Sequence, residues 1–187
     1  KANPIAVPGL KTSAYLGIKL CWGDLTYEVV PFDEIIPRIL DDTYKSGLII
    51  HEGQLTYVDH DLDVLVDLGV WWNEKTGGLP MPLGGNVVRR DLGQQVMEDV
   101  TMYTKMSIEH SIANPDVALQ FAKKWGRGID DDTNREFVTM YVNERTIDYK
   151  KEGRDSIRMF LREGQEIGLI DSDFDVDSVQ FIGADES

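Results

Sequence analysis

Within its first 51 residues the chain alternates short β-prone runs with helix-length spacers, and that order leaves few folds open. Residues 4–7 read as a strand. The turn Pro8-Gly9-Leu10-Lys11 leads into a helix beginning near Thr12. Residues 25–30 read as a second strand, with Thr, Tyr and Val supplying β preference. Asp33 is placed to cap a second helix whose apolar positions are Ile35, Ile36, Ile39 and Leu40. Gly47 ends that helix and opens a third strand, Gly47-Leu-Ile-Ile-His51. A βαβαβ order predicts a parallel sheet with right-handed crossovers.

Beyond this frame the pattern changes. Residues 62–70 are apolar, followed by Trp71-Trp72 and the turn-rich Thr76-Gly-Gly-Leu-Pro-Met-Pro82. The stretch 78–85 lacks a GxGxxG pattern and a Lys-Ser/Thr ending, so it reads as a stiff crossover, either a hinge or an ordinary loop. Residues 87–90 read as a strand re-entering a sheet. From Asp91 the character is helical, over 92–113, 116–125, 132–147 and 152–167, with a break at Asn114-Pro115 and a stop at Gly168. In the acidic tail, 176–182 reads equally as an edge strand or as disorder. The expected division is an α/β lobe over 1–80, carrying Thr12-Ser13 and His51, then a mostly helical 81–187 that returns to the first lobe.

With 33 acidic against 19 basic residues the net charge is −14, which excludes nucleic acid and anionic membranes as partners. An anionic small molecule stays open, because a helix terminus can hold one without a surplus of cations. Cys21 is the single cysteine, so there is no intrachain disulfide framework. It reads as a packing residue in a reducing compartment, and the expected location is the cytoplasm. No apolar run approaches the roughly 20 residues that a membrane helix needs.

His51 terminates an apolar run, and the carboxyl end of a parallel strand is where open α/β sheets bind ligands. An imidazole titrates near pH 6.5, so His51 can serve as a general base. The alternative is a structural histidine with both nitrogens satisfied locally. Glu52 is expected to be solvated, since neighbours along a strand point to opposite faces. Thr12 and Ser13 place hydroxyls, unbonded N–H groups and a helix dipole at one spot, a combination suited to a carboxylate or phosphate. The plainer reading is that they cap their own helix. His60 lies in a polar loop and His110 on a charged helix face. No histidine pair has ligand-like spacing, so no metal is expected. Trp71 and Trp72 read as core, with a cleft wall as the alternative.

Taken together, Pro8-Gly9 through Thr12-Ser13-Ala14, Gly47-Leu-Ile-Ile-His51-Glu52, Asp67-Leu-Gly-Val-Trp-Trp72, Gly78-Leu-Pro-Met-Pro-Leu-Gly84 and Tyr141-Val-Asn143 with Glu152-Gly153 resemble the menaquinone-biosynthesis branch of the periplasmic-binding-protein-like superfamily. The resemblance implies an α/β, two-lobed type II periplasmic-binding-protein-like fold with a ligand cleft between the lobes. It also implies a lyase that converts cyclic de-hypoxanthine futalosine to 1,4-dihydroxy-6-naphthoate without metal or organic cofactor. His51 matches the family's proton acceptor. Thr12 and Ser13, with the Ala14 backbone, match the group that holds the substrate carboxylate; Ser13 stands where Thr is usual and keeps the hydroxyl. Family members carry a further N-terminal segment, which this chain is expected to lack. The partners implied are the small-molecule carboxylate and a second copy of the chain. The competing reading is a solute-binding protein that closes on a carboxylate without chemistry, and a third is a catalytically silent paralogue.

Overall fold

Two consecutive residues, Ala6 and Val7, have no exposed surface, because strand β1 (Ile5–Val7) is covered on both faces. Side chains alternate along a strand, so Ala6 joins one cluster with Val30, Ile35 and Tyr44 while Val7 joins another with Tyr15 and Ile18. The computed structural model describes residues 3–123 and 130–183, and it is a mixed α/β structure, rich in helix with a small parallel sheet. β1 pairs in parallel with β2 (Tyr27–Val29) in the register Ile5↔Tyr27, Ala6↔Glu28 and Val7↔Val29. The crossover between them is helix α1 (Ser13–Trp22), capped by Thr12 and closed by Gly23, whose φ of 74° suits a residue without Cβ.

The third expected strand, over 47–51, is corrected to a single parallel bridge. Ala6 N–H donates to Ser46 O at 3.1 Å and Leu48 N–H donates to Ala6 O at 2.8 Å, with Ala6 opposite Gly47. β1 is three residues long, so its ladder offers nothing for residues 49–51 to pair with, and the chain turns away. Gly47 is required where it passes the sheet: a Cβ there would lie 2.3 Å from Ile35 Cγ2. Asp33 is also corrected as a cap. Residues Phe32–Glu34 form a 3₁₀ turn that runs straight into α2 (Ile35–Leu40), and no side chain caps either start.

By compactness the chain forms two units, one running up to Gly84 together with Asp155–Asp177, the other formed by Gly85–Arg154 with the chain from Ser178 on. In the first unit, α3 (Gly53–Thr56) follows His51, and α4 (Leu68–Thr76) is capped by Asp67, whose carboxylate accepts from Gly69 and Val70 N–H. The segment 62–67 ahead of it is irregular, so the apolar stretch read over 62–70 becomes helical only at Leu68. Trp72 is fully buried against Leu16 and Phe160, and its ring meets Phe160 edge-on at 5.2 Å. Its indole N–H donates to Ser156 Oγ at 2.8 Å, and that hydroxyl donates to Pro80 O at 2.6 Å. Trp72 is therefore core rather than a cleft wall, with Trp71 half-buried against it.

The second unit holds α5 (Gln94–Ala113), α6 (Pro115–Ala122), α7 (Asp131–Tyr141) and α8 (Glu144–Ile147), and α9 (Lys150–Glu166) starts in it. Three expectations are corrected here. Residues 87–90 form no strand: Val87 is 97% exposed and the chain enters a 3₁₀ turn at Arg90. The helix expected over 132–147 breaks after Tyr141, because Asn143 restarts it with a capping box, accepting from Arg145 N–H while Thr146 Oγ1 accepts from Asn143 N–H. Over 176–182 there is a 3₁₀ turn, Val176–Ser178, and among the described residues no edge strand. The expected helix over 116–125 ends outside the described residues.

Two substitutions test this packing. Gly47→Ala drives a methyl into Ile35 and is expected to lower stability by about 1–3 kcal/mol. Ser156→Ala leaves the buried Trp72 N–H and Pro80 carbonyl unpaired and is expected to lower it by about 1–3 kcal/mol. Denaturant unfolding followed by tryptophan fluorescence measures both.

Candidate active site

Parallel pairing sets the position of the candidate residues before any side chain is considered. β1, β2 and the bridged residues 46–48 all run the same way, so their carboxyl ends share one edge of the sheet. Three segments leave that edge: 8–12 after β1, 30–32 after β2, and 49–53 after the bridge. Thr12, Phe32 and His51 lie on these three segments, at the ligand-binding edge of an open α/β sheet.

His51 is held at both ring nitrogens. Gly53 N–H donates to Nδ1 at 2.9 Å, so Nδ1 carries the lone pair. Nε2 lies 2.6 Å from Phe32 O, a bond that only an Nε2–H can make. The two contacts together fix the neutral tautomer with its proton on Nε2. The ring also lies tilted on Phe32, centroids 5.2 Å apart. Gly53 has no Cβ because the ring occupies the space: one would sit 2.9 Å from His51 Cε1 and 2.7 Å from Ile36 Cδ1. The local satisfaction that the structural reading requires is therefore present, yet Nδ1 holds a lone pair, which a general base needs.

Glu52 departs from its expected place. Its Oε2 is 3.7 Å from His51 Nδ1, and the side chain is 23% exposed. The strand argument for a solvated Glu52 fails because residues 51–53 form a turn into α3 and not a strand. The signal available in the sequence was the glycine after His-Glu, which allows the turn.

Thr12 performs the capping role. Its Oγ1 accepts from Tyr15 N–H at 3.1 Å and donates to Gly9 O at 2.9 Å. Ser13 and Ala14 are the first two residues of α1, half-buried, and their N–H groups precede any carbonyl that the helix could offer them. The anion-binding potential of this spot thus rests on the Ser13 hydroxyl and two backbone N–H groups at the positive end of the helix dipole.

His60 closes an exposed 3₁₀ turn and His110 is exposed on α5. Among the described residues no three metal-ligating side chains cluster. Burial pushes the Cys21 thiol pKa up, with the Lys75 charge opposing, which disfavours a reactive thiolate. Among the described residues no helix is long and apolar enough to cross a membrane.

Comparison with known proteins places the chain in a family. Residues 1–166 match a family model described as menaquinone biosynthesis. The chain is 34% identical to the 1,4-dihydroxy-6-naphthoate synthase of Thermus thermophilus over 165 residues, covering 88% of this chain and 60% of that protein. It is 31% identical to the synthase of the same name from Streptomyces coelicolor, covering 91% and 62%. The chain thus spans about three-fifths of the length of the curated relatives it matches. A crystal structure of an Archaeoglobus fulgidus protein superposes with a TM-score of 0.86 at 39% identity, covering 91% of this chain and 64% of that one. With the family model spanning nearly all of the described fold, the chain belongs to the menaquinone-biosynthesis family.

Proposed function

We propose that this chain serves as a 1,4-dihydroxy-6-naphthoate synthase, a lyase acting on cyclic de-hypoxanthine futalosine, with a two-lobed periplasmic-binding-protein-like fold that closes on the substrate. The observation that carries the reading is the match to two synthases of that name over about nine-tenths of the chain. The site chemistry is compatible with it. A base must offer a lone pair within reach of an acidic substrate proton, and His51 Nδ1 has one in the tautomer fixed by Phe32 O. In the proposed step the substrate proton passes to Nδ1, which gives up the Gly53 N–H. The electron pair left on the substrate drives the bond cleavage that aromatises the product. Ser13 and the Ala14 N–H, at the start of α1, hold the substrate carboxylate and fix its distance from the base. Thr12 contributes by fixing the first turn of that helix.

A second reading has one observation in its favour. Both nitrogens of His51 are engaged within the protein, as in a histidine that only shapes a pocket. That geometry supports a solute-binding protein closing on a carboxylate without transforming it.

Turnover separates the two. The natural protein is expected to release 1,4-dihydroxy-6-naphthoate from cyclic de-hypoxanthine futalosine, detected by mass. His51→Asn is expected to retain substrate binding while kcat falls by about 100- to 10,000-fold. Tight binding with no product from the natural protein overturns the lyase reading and favours the binder.

A further inference from the structure

The contact between Glu52 and His51 has no part in the scheme above. Neutral His51 gains nothing from a carboxylate beside Nδ1, because both groups present lone pairs. Protonated His51 gains a partner: the new Nδ1–H then has an anionic group 3.7 Å away, in a setting where the two side chains are only 17% and 23% exposed. The Nε2–H bond to Phe32 O survives in both states and keeps the ring from turning. Gly53 N–H, which holds the lone pair in the neutral state, becomes a poor neighbour once Nδ1 carries hydrogen. One partner thus suits the resting ring and the other suits the charged one, on the same ring nitrogen.

We propose that Glu52 is the positioning residue for His51: its carboxylate takes over Nδ1 from the Gly53 N–H when the imidazole accepts a proton, and so holds the charged ring in place. The proposal deepens the reading of His51 as the base and rests on it for its catalytic meaning. The charge pairing itself stands on geometry alone. The other charged groups on the elements packed around the ring are Asp33 and Glu34, flanking the Phe32 carbonyl, and Arg38 on α2, which pairs with Glu34. The Glu34–Arg38 pair offsets its own charge, leaving Glu52 as the carboxylate in contact with Nδ1.

The deciding experiment is a ¹⁵N NMR titration of the His51 ring in the natural protein and in Glu52→Gln, with no substrate present. The neutral ring is expected to show Nδ1 as the unprotonated nitrogen in both. Its pKa is expected to fall in Glu52→Gln by about half a unit to one unit, since the amide keeps the shape and loses the charge. Glu52→Asp should recover part of the shift. In turnover, Glu52→Gln is expected to lower kcat by roughly tenfold with KM little changed, and to move the acidic limb of the pH–rate profile down with the NMR value. An unchanged pKa in Glu52→Gln overturns the pairing, and a lowered pKa with unchanged kcat overturns its catalytic use. If the natural protein turns over no substrate, the lyase reading fails, while the titration still decides whether Glu52 governs His51.

Discussion

Strand β1 is bonded on both edges, through Ile5 and Val7 to the β2 side and through Ala6 to residues 46–48, and the rest of the first unit is arranged around that fact. Because all three segments run parallel, their exits gather at one edge. Each then delivers a different resource: a helix start after β1, a carbonyl that accepts from the imidazole after β2, and the imidazole itself after the bridge. The clusters around Ala6 and Val7 make this arrangement rigid, since the two faces of a three-residue strand are each sealed by their own side chains. A slip of one residue in the register would exchange the two faces and move every exit.

The imidazole shows how a short backbone turn sets chemistry. The ring is held by Phe32 O and Gly53 N–H, two main-chain groups that cannot change with substitution of their side chains. Such bonds fix the tautomer and leave the charge response to a neighbouring side chain. Glu52 stands 3.7 Å from Nδ1, and the absent Cβ at Gly53 leaves room for the ring. At the helix start, Thr12 uses its hydroxyl on the first turn, so the donors that remain belong to the half-buried Ser13 and Ala14. The division is physically sensible: a hydroxyl already bonded twice has little to offer a ligand.

The core around Trp72 depends on one buried polar chain, Trp72 to Ser156 to Pro80. It fastens the large indole of α4 to α9 and to the proline-rich stretch before Gly84. In a buried setting, a satisfied N–H gives direction as well as stability, and the ring meets Phe160 edge-on.

Much of this was legible in the amino-acid order. β1, α1 with its Thr12 cap, β2, α5 with its stop at Asn114-Pro115, and α9 ending before Gly168 follow from local periodicity and from caps that act within four residues. So does the location of His51 after an apolar run, and the five ordered motifs pointed to the family to which the chain belongs. What local pattern could not supply was the length of the partner strand. The run at 47–51 has every sign of a strand, but β1 ends at Val7 and the run keeps only one bridge. Residues 87–90 have β-prone side chains and no strand beside them. The same long-range geometry decided the fate of Glu52: alternation along a strand turns it away from His51, whereas the turn that replaces the strand brings it back. The sequence by itself determined which residues could form helices and caps and where an imidazole would follow an apolar run, because those depend on neighbours in the chain. Tertiary structure alone decided which nitrogen of His51 bears the proton and which carboxylate faces it, because the Phe32 carbonyl and the turn at Gly53 are set by packing across the sheet.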